Sequence, residues 1–442
     1  MLSAKRTDPA HIAASLAERS LPPGFCSLPF VGLHISAAGS ISPCCEYSGD
    51  LGNVRTTSLE TVWTGSELAT LREKFIAGEP IAACWKCADR ERHESGSLRL
   101  EKLDYADLVA RDEQSAPLAT AFPKYLDLRL SNLCNFRCRT CWHGASSKWF
   151  VDGKAIGVVA SDKAEIRSFD NLAHFETQIA SGLDEIERIY FAGGEPLLMP
   201  EHYALLDMLI SRGRTDVELI YTSNLSVTGV QGRSIFDLWS HFPRLSVEAS
   251  VDGAGARGEF IRKEFDWLNF TTNVTSLRHA CPHAKLSFGI TVSVFNILTL
   301  PELLWALMTQ CGATADSFHL HSLQEPPFYR TQILSFALKR KARDGIRRFL
   351  RSVRLSEGDP IKLEARLNGV LAYMQAEHRT GDITRFMEMA RKLDDLRRED
   401  LAGTFPELAP LLRRSAWFWS RLTGRASRLV RIASRLYREM RK

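Results

Sequence analysis

The sequence predicts an α/β fold built on six strand–helix units arranged as a partial barrel, and three observations carry that expectation. Apolar or β-branched runs recur at Tyr125 to Leu130, Ile186 to Phe191, Val217 to Thr222, Leu245 to Ser250, Leu286 to Val294 and Ser317 to His321, the composition of buried strands. Amphipathic stretches such as Tyr203 to Ile210 and Leu300 to Gln310 lie between them, which predicts parallel strands joined by right-handed helical crossovers. Polar residues and glycines follow most of the runs, where the loops of such a sheet gather into a site.

Taken in order, the first strand leads into Cys134-Asn135-Phe136-Arg137-Cys138-Arg139-Thr140-Cys141. Three thiolates at this spacing converge on one soft metal site, and three leave one iron of a four-iron cluster without a protein ligand. The competing reading is structural zinc, which wants four N/S ligands and finds a fourth in His143. The second strand leads into Ala192-Gly193-Gly194-Glu195-Pro196, where bare backbone lets a ligand approach, or simply turns. After the third come Ser223 and Asn224, suited to hydroxyl ligands and equally to turn chemistry. Ser250, Asp252 and then Arg262 follow the fourth, and an arginine fork matches a carboxylate. The sixth ends in His319-Leu320-His321-Ser322-Leu323-Gln324-Glu325. Two histidines of equal parity face one side together. His319, His321 and Glu325 are therefore the candidate acid–base residues, against a reading as ordinary core or surface side chains.

The cysteine spacing, the Gly-Gly-Glu-Pro sequence and the Ser250 and Arg262 pair together resemble the radical S-adenosylmethionine (radical SAM) superfamily, whose core is a partial barrel of this kind. The resemblance implies a four-iron cluster on Cys134, Cys138 and Cys141 whose free iron chelates SAM. It implies that Gly193, Gly194 and Glu195 receive the SAM amino group, that Ser223 and Asn224 bond its ribose, and that Ser250, with Asp252 and Arg262 beside it, holds its carboxylate. The family usually has an aromatic residue before the third cysteine, where this chain has Thr140. A flavodoxin- or ferredoxin-type reductase is the implied electron donor.

Four further cysteines precede the core, at Cys26, Cys44 and the pair Cys84 and Cys87. Two separated pairs of soft ligands make a four-cysteine site, with zinc and iron–sulfur both open from sequence and Cys45 an alternative to Cys44. The stretch from Phe25 to Cys87 resembles a twitch or SPASM-type auxiliary domain placed ahead of the core, which implies a second, fully ligated four-iron cluster.

The expected organisation is an amino-terminal segment (1–24), the auxiliary domain (25–87), a charged helical linker (88–123), the core (124–330), a helical extension (331–410) and a basic amphipathic tail (411–442). Net charge is +5 over 442 residues. The tail alone holds ten Arg or Lys against Glu439, so the rest of the chain is net acidic. Leu422, Ala426, Leu429, Ala433, Leu436 and Met440 form one apolar stripe there. Such a helix suits an anionic membrane surface, an acidic carrier or the protein's own body; nucleic acid is disfavoured, because no basic and aromatic platform accompanies it. Of ten cysteines, Cys45, Cys281 and Cys311 remain unassigned. Unpaired thiols with oxygen-labile clusters, and no apolar segment of bilayer length, point to a cytoplasmic protein, peripheral at the membrane if the tail docks there.

The expected activity is reductive cleavage of SAM and removal of a hydrogen atom from an sp3 carbon of a sugar, aminocyclitol, amino acid or peptide. The auxiliary cluster then accepts an electron or anchors the substrate, which favours oxidation or bond formation. Epimerisation is the alternative if Cys45 or Cys311 returns a hydrogen atom. A non-catalytic iron–sulfur or zinc scaffold recruited through the tail is the alternative of another class.

Overall fold

A computed structural model describes residues 21–92, 97–103, 105, 110–111, 117–118, 120–353 and 359–411. Most of the amino-terminal segment and the basic tail beyond Leu411 lie outside the described residues. Nine strands form the main sheet: β1 (Gly32–Ile35), β2 (Ser40–Ser42), β3 (Gly52–Asn53), β4 (Tyr125–Leu128), β5 (Arg188–Phe191), β6 (Glu218–Ser223), β7 (Leu245–Ser250), β8 (Lys285–Val292) and β9 (Phe318–Ser322). Their order is β9-β8-β7-β6-β5-β4-β1-β2-β3. The last six in the chain are the six expected strands, and every neighbouring pair among them is parallel.

Helical segments cross between them: α1 (Leu172–Ala180), α2 (Pro200–Ser211), α3 (Ile235–Trp239), α4 (Trp267–Ala280) and α5 (Leu300–Cys311). The pleat sorts the sheet into two faces. Burial alternates along β5, β6 and β7. Ile189, Phe191, Leu219, Tyr221, Val247, Ala249, Phe288 and Ile290 are wholly buried, in one core with Leu205 and Leu209 of α2 and Leu304 and Leu307 of α5. Their neighbours in sequence, including Tyr190, Thr222, Glu248, His319 and His321, turn to the opposite, polar face. The barrel is open, because β9 is an edge strand and β4 pairs on its far side with β1.

That last pairing alters the expected organisation. The auxiliary segment and the core share one sheet: β1 runs parallel to β4, with Gly32 opposite Tyr125 and Ile35 opposite Leu128, while β1–β2 and β2–β3 are antiparallel. A Cβ on Gly32 would meet the Tyr125 carbonyl oxygen at 2.8 Å and its ring at 2.5 Å. Only glycine therefore lets the two strands close. From the bridging segment, Tyr105 packs edge-on against Tyr125, and the Arg188 guanidinium lies over its ring.

After β9 the chain is largely helical, as expected, in α6 (Phe336–Val353), α7 (Pro360–Ala376) and α8 (Ile383–Arg397). Among the described residues no helix is long and apolar enough to cross a membrane.

Gly32→Ala should lower stability by about 1–3 kcal/mol, the cost of overpacking a tight contact, read as the midpoint of thermal unfolding of the full chain. An unchanged midpoint would show that β1 is not seated on β4.

Candidate functional site

The loop after β4 holds Cys134, Cys138 and Cys141 within electrostatic reach of one another, burial being the main influence on each. Local bonds set its path. The Phe136 amide donates to Cys134 Sγ at 3.4 Å, Trp149 Nε1 to the Cys138 carbonyl at 3.0 Å, and Ser146 Oγ to the Phe136 carbonyl at 2.5 Å. Burial pushes the Cys134 thiol up to about 12 and raises Cys138 and Cys141 as well. A thiol held this way binds best when a metal replaces its proton.

Arg262 faces this loop and counters that rise at Cys138 and Cys141. Its Nε donates to Asp252 Oδ2 at 2.8 Å, and Asp252 Oδ1 accepts from the Thr291 amide at 2.8 Å. The guanidinium is thus buried and fixed beside the thiols. Ser250 ends β7 in register with Gly289, on the polar face with Glu248.

Glu195 meets the loop through its own amide, which donates to the Leu133 carbonyl at 2.7 Å. Its carboxylate accepts from Ser223 Oγ at 2.7 Å, from the Asn224 amide at 2.7 Å and from the Leu197 amide at 3.2 Å. Burial outweighs these bonds and raises its carboxyl to about 7. The Asn224 side chain donates to Asn135 Oδ1 inside the cysteine loop, at 2.9 Å. Ser223 and Asn224 therefore use these donors within the protein, where sequence suggested ribose contacts. Gly193 and Gly194 both have positive φ, and a Cβ on Gly194 would meet the Leu133 carbonyl at 2.3 Å. Here the bare backbone approaches the cysteine loop itself.

His143, the suggested fourth zinc ligand, is spent elsewhere. Its Nε2 lies 3.0 Å from the Ala164 carbonyl, and its ring packs on Phe150. Among the described residues, no three His, Cys, Asp or Glu side chains are gathered so as to hold a single metal ion.

The second set also assembles. Cys26, Cys44, Cys84 and Cys87 interact electrostatically with one another, and burial pushes Cys44 to about 12 and Cys84 to about 11. Their segments are tied by charge. Glu46 pairs with Arg90 at 2.9 Å and Lys86 at 3.6 Å, joining the Cys44 turn to the helix Trp85–Arg92. Arg99 bonds the Phe25 carbonyl at 3.0 Å and Glu91, joining Cys26 to the same helix. Cys45 does not belong to this set. It is exposed and faces Asp127 and Arg129, because consecutive side chains of the turn after β2 diverge. Both sets therefore present the donor chemistry an iron–sulfur cluster needs: three soft thiols beside one cation, and four thiols drawn from three tied segments.

The polar face carries a connected series of groups. His34 Nδ1 lies 3.2 Å from Asp127 Oδ2, and Arg129 Nε donates to Asp127 Oδ1 at 2.9 Å. The Arg129 guanidinium sits 4.9 Å over the Tyr190 ring, and Tyr190 Oη is 2.8 Å from Thr222 Oγ1. Thr222 approaches Glu248 Oε1 at 3.4 Å, while Glu248 Oε2 bonds His319 Nδ1. Burial raises the Glu248 carboxyl, but His319 outweighs it and holds the group below the usual carboxylate range. His321 Nε2 is 4.0 Å from Glu248 Oε1.

Sequence reasoning missed Glu248; the Glu at an alternating position of a strand aligned with the two histidines was the available signal. Gly289, between β7 and β9, leaves it room, since a Cβ there would meet Glu248 Oε1 at 2.7 Å. Glu325 does not join the pair. The chain turns at the cis Glu325–Pro326 bond, and Glu325 is 76% exposed, paired with Arg330 at 3.5 Å. Cys311 is buried at the end of α5 and Cys281 after α4, both remote from this face.

A protein-family model for an iron–sulfur cluster-binding domain (SPASM) matches residues 26–88. GTP 3',8-cyclase of Campylobacter lari is 30% identical over 112 residues, which cover 25% of this chain and 30% of that protein. The match thus spans less than a third of the curated relative. Two solved structures are similar: native anSMEcpe with bound AdoMet, at 15% identity over 52% of this chain and 58% of that one with TM-score 0.35, and Streptococcus suis SuiB bound to S-adenosylmethionine, at 11% identity over 75% and 71% with TM-score 0.34.

Burial raises the Asp127 carboxyl, but Arg129 and His34 outweigh it and bring it down to about 2. A depressed carboxylate stabilises the fold above its unfolded pKa and loses that contribution as pH falls through the folded one. Asp127→Asn should therefore cost about 2–3 kcal/mol at neutral pH, with the difference from the unmodified protein closing between about pH 4 and pH 2. Denaturant unfolding across that range checks it; a pH-independent difference would mean the charge of Asp127 is not what stabilises.

Proposed function

We propose that the chain, whose residues 26–88 match an iron–sulfur cluster-binding (SPASM) domain model, is a radical SAM enzyme that cleaves SAM reductively and removes a hydrogen atom from an sp3 carbon of a substrate lying against the polar face of the sheet. Cys134, Cys138 and Cys141 would hold the SAM-binding four-iron cluster, and Cys26, Cys44, Cys84 and Cys87 the auxiliary one. When bound, the first supplies the electron that splits SAM into methionine and a 5'-deoxyadenosyl radical. The observation that carries this reading is the convergence of three thiols, one buried and two partly buried, with Arg262 and Glu195 at the carboxyl ends of four parallel strands.

The remaining steps belong to the chain's own residues. Arg262, held by Asp252, offers its free guanidinium edge to the SAM carboxylate. Glu195 locks the ends of β5 and β6 against the cysteine loop, and the glycines let that loop pack close. His319 donates through Nδ1 to Glu248, which leaves Nε2 facing the polar face as a proton acceptor. Loss of a hydrogen atom, then of a proton and of one electron, which the auxiliary cluster would accept, is a two-electron oxidation, so substrates that present an alcohol or ammonium group fit best: a sugar or aminocyclitol, an amino acid, or a peptide side chain. A flavodoxin- or ferredoxin-type reductase would supply electrons, as suits a cytoplasmic protein.

Epimerisation is a second reading, and the position of Cys45 favours it. This thiol is accessible, stands outside the four-cysteine set and lies beside Asp127 and Arg129 on the polar face. In this reading it would return a hydrogen atom to a substrate carbon.

Anaerobically reconstituted protein should bind about eight irons per chain and release 5'-deoxyadenosine with SAM and dithionite; replacing Cys134, Cys138 and Cys141 by Ala should leave about four irons and no nucleoside. Unmodified protein with one zinc, about four irons and no 5'-deoxyadenosine would instead establish the scaffold reading. For the second reading, an epimerised product should gain one solvent deuterium at the inverted carbon, and Cys45→Ala should abolish that product while 5'-deoxyadenosine still forms. A product two hydrogens lighter, made equally by Cys45→Ala, would establish oxidation and retire the epimerase.

A further inference from the structure

The loop of Cys138 and Cys141 and the turn of Arg262 are joined backbone to backbone. The Arg139 amide donates to the Ile261 carbonyl at 2.7 Å and the Arg137 amide to the Lys263 carbonyl at 3.2 Å. The cysteine loop is irregular and Arg262 caps the short helix Gly255–Ile261, so local bonds alone leave an irregular loop and a helix end to fix the cysteines and the arginine.

What holds them is the far end of α8, some 250 residues on in the chain. Arg139, between the two cysteines, is fully buried and lies 3.8 Å over the Phe260 ring. Its Nη2 pairs with Asp394 Oδ1 at 2.5 Å and Glu399 Oε2 at 2.6 Å. Glu399 also binds Lys263 at 2.8 Å, the residue after Arg262. Arg397, equally buried, donates to Asp152 at 2.7 Å and to the Arg137 carbonyl at 2.7 Å. Asp152 in turn binds Arg137 at 2.8 Å. The Asp394 carboxylate also accepts from the Leu401 amide at 2.9 Å, which fixes it where α8 ends in a left-handed Arg398.

Four cations, Arg137, Arg139, Lys263 and Arg397, meet three acids, Asp152, Asp394 and Glu399, and Arg137 reaches a fourth, Glu264, at 3.1 Å; removing one partner from such a buried network leaves an uncompensated charge. By contrast, the opposite side of α8 carries a solvent-exposed Glu388–Lys392 pair. The helix therefore spends its distinctive charges on the cluster loop and not on its own solubility.

We propose that α8 and the turn after it are the positioning element of the SAM-cleaving site, holding Cys138, Cys141 and Arg262 in one geometry through Asp394, Arg397 and Glu399. This rests on the reading of the three cysteines as the SAM-binding cluster site. The helical extension then belongs to the core machinery, and Asp394, Arg397 and Glu399 are positioning residues that touch neither cluster nor SAM.

The test uses the full chain, reconstituted anaerobically, and follows iron release to a ferrous chelator together with the electron paramagnetic resonance change that SAM causes in the reduced protein. In Asp394→Asn/Glu399→Gln, the core irons should leave about tenfold faster, as for supporting residues around metal sites. The auxiliary irons should leave at the unmodified rate, and the SAM-induced spectral change should shrink. Arg139→Lys, which keeps the charge and loses the fork, should shift both readouts in the same direction and serves if the double variant does not fold. Glu388→Gln should change neither. The proposal is overturned if core irons and spectrum are unchanged in a folded variant, or if both sets of iron leave together, which marks a general loss of stability. Unmodified protein that binds no core iron would refute the cluster reading itself, before any variant is compared.

Discussion

The ends of β5 and β6 meet the cysteine loop at one buried carboxylate. Glu195 accepts three hydrogen bonds, from the Leu197 amide, the Ser223 hydroxyl and the Asn224 amide, while its own amide donates to the Leu133 carbonyl at 2.7 Å. It thus joins β5, β6 and the cysteine loop at a single point. Hydrogen bonds to a carboxylate are stronger than neutral ones and costly to leave half made. The surrounding loops have no regular backbone pairing of their own, so this junction, the Asp252–Arg262 pair and the contacts from α8 together fix the cysteine loop. Glycine at position 194 follows from the same closeness, since any side chain would strike the loop that Glu195 draws in.

The sheet answers a second constraint. A strand in a parallel sheet is usually apolar on both faces, covered by helices on each. Here helices cover one face, and the other carries His34, Asp127, Arg129, Tyr190, Thr222, Glu248 and His319 in mutual contact. Burying so many polar groups is tolerable only because nearly every one has a partner. Such a face has no structural advantage over an apolar one. Under the proposed function, this face, shared by strands from the auxiliary segment and the core, is where a substrate would lie.

The parts of this arrangement that were legible in the sequence are the local ones. Cysteine spacing, the glycine pair and the alternation of six strands are each written within a few residues, and the strands appeared at the expected places with ends shifted by a residue or two. What escaped depends on register between distant segments. The bond between Glu248 and His319 exists because β7, β8 and β9 align Glu248, Gly289 and His319 across three strands. The parallel pairing of β1 with β4 was hidden for the same reason, since Gly32-Leu33-His34-Ile35 is too short to read as a strand and its partner lies far along the chain. Glu325 was misjudged by proximity: it follows the histidines in sequence, but the strand ends at Ser322 and Glu325 lies exposed beside Arg330. The hold of α8 on the cysteine loop had no local trace at all.

Cys44 and Cys45 show most directly how the two halves of the molecule are coupled. The turn after β2 sends one thiol to the four-cysteine set and the next to the polar face beside Asp127 and Arg129. Because β1 and β2 belong to the same sheet as β4, a shift of the auxiliary segment would move Cys45 relative to Asp127 and Arg129 and move Cys44 relative to Cys26, Cys84 and Cys87. The geometry of the auxiliary site and the shape of the substrate face are consequently not independent. A segment that merely carried a second metal site could have been tethered by a linker; one that pairs strand to strand with β4, through a glycine no other residue can replace without strain, would, under the proposed function, hold its cysteines at a set distance from the substrate.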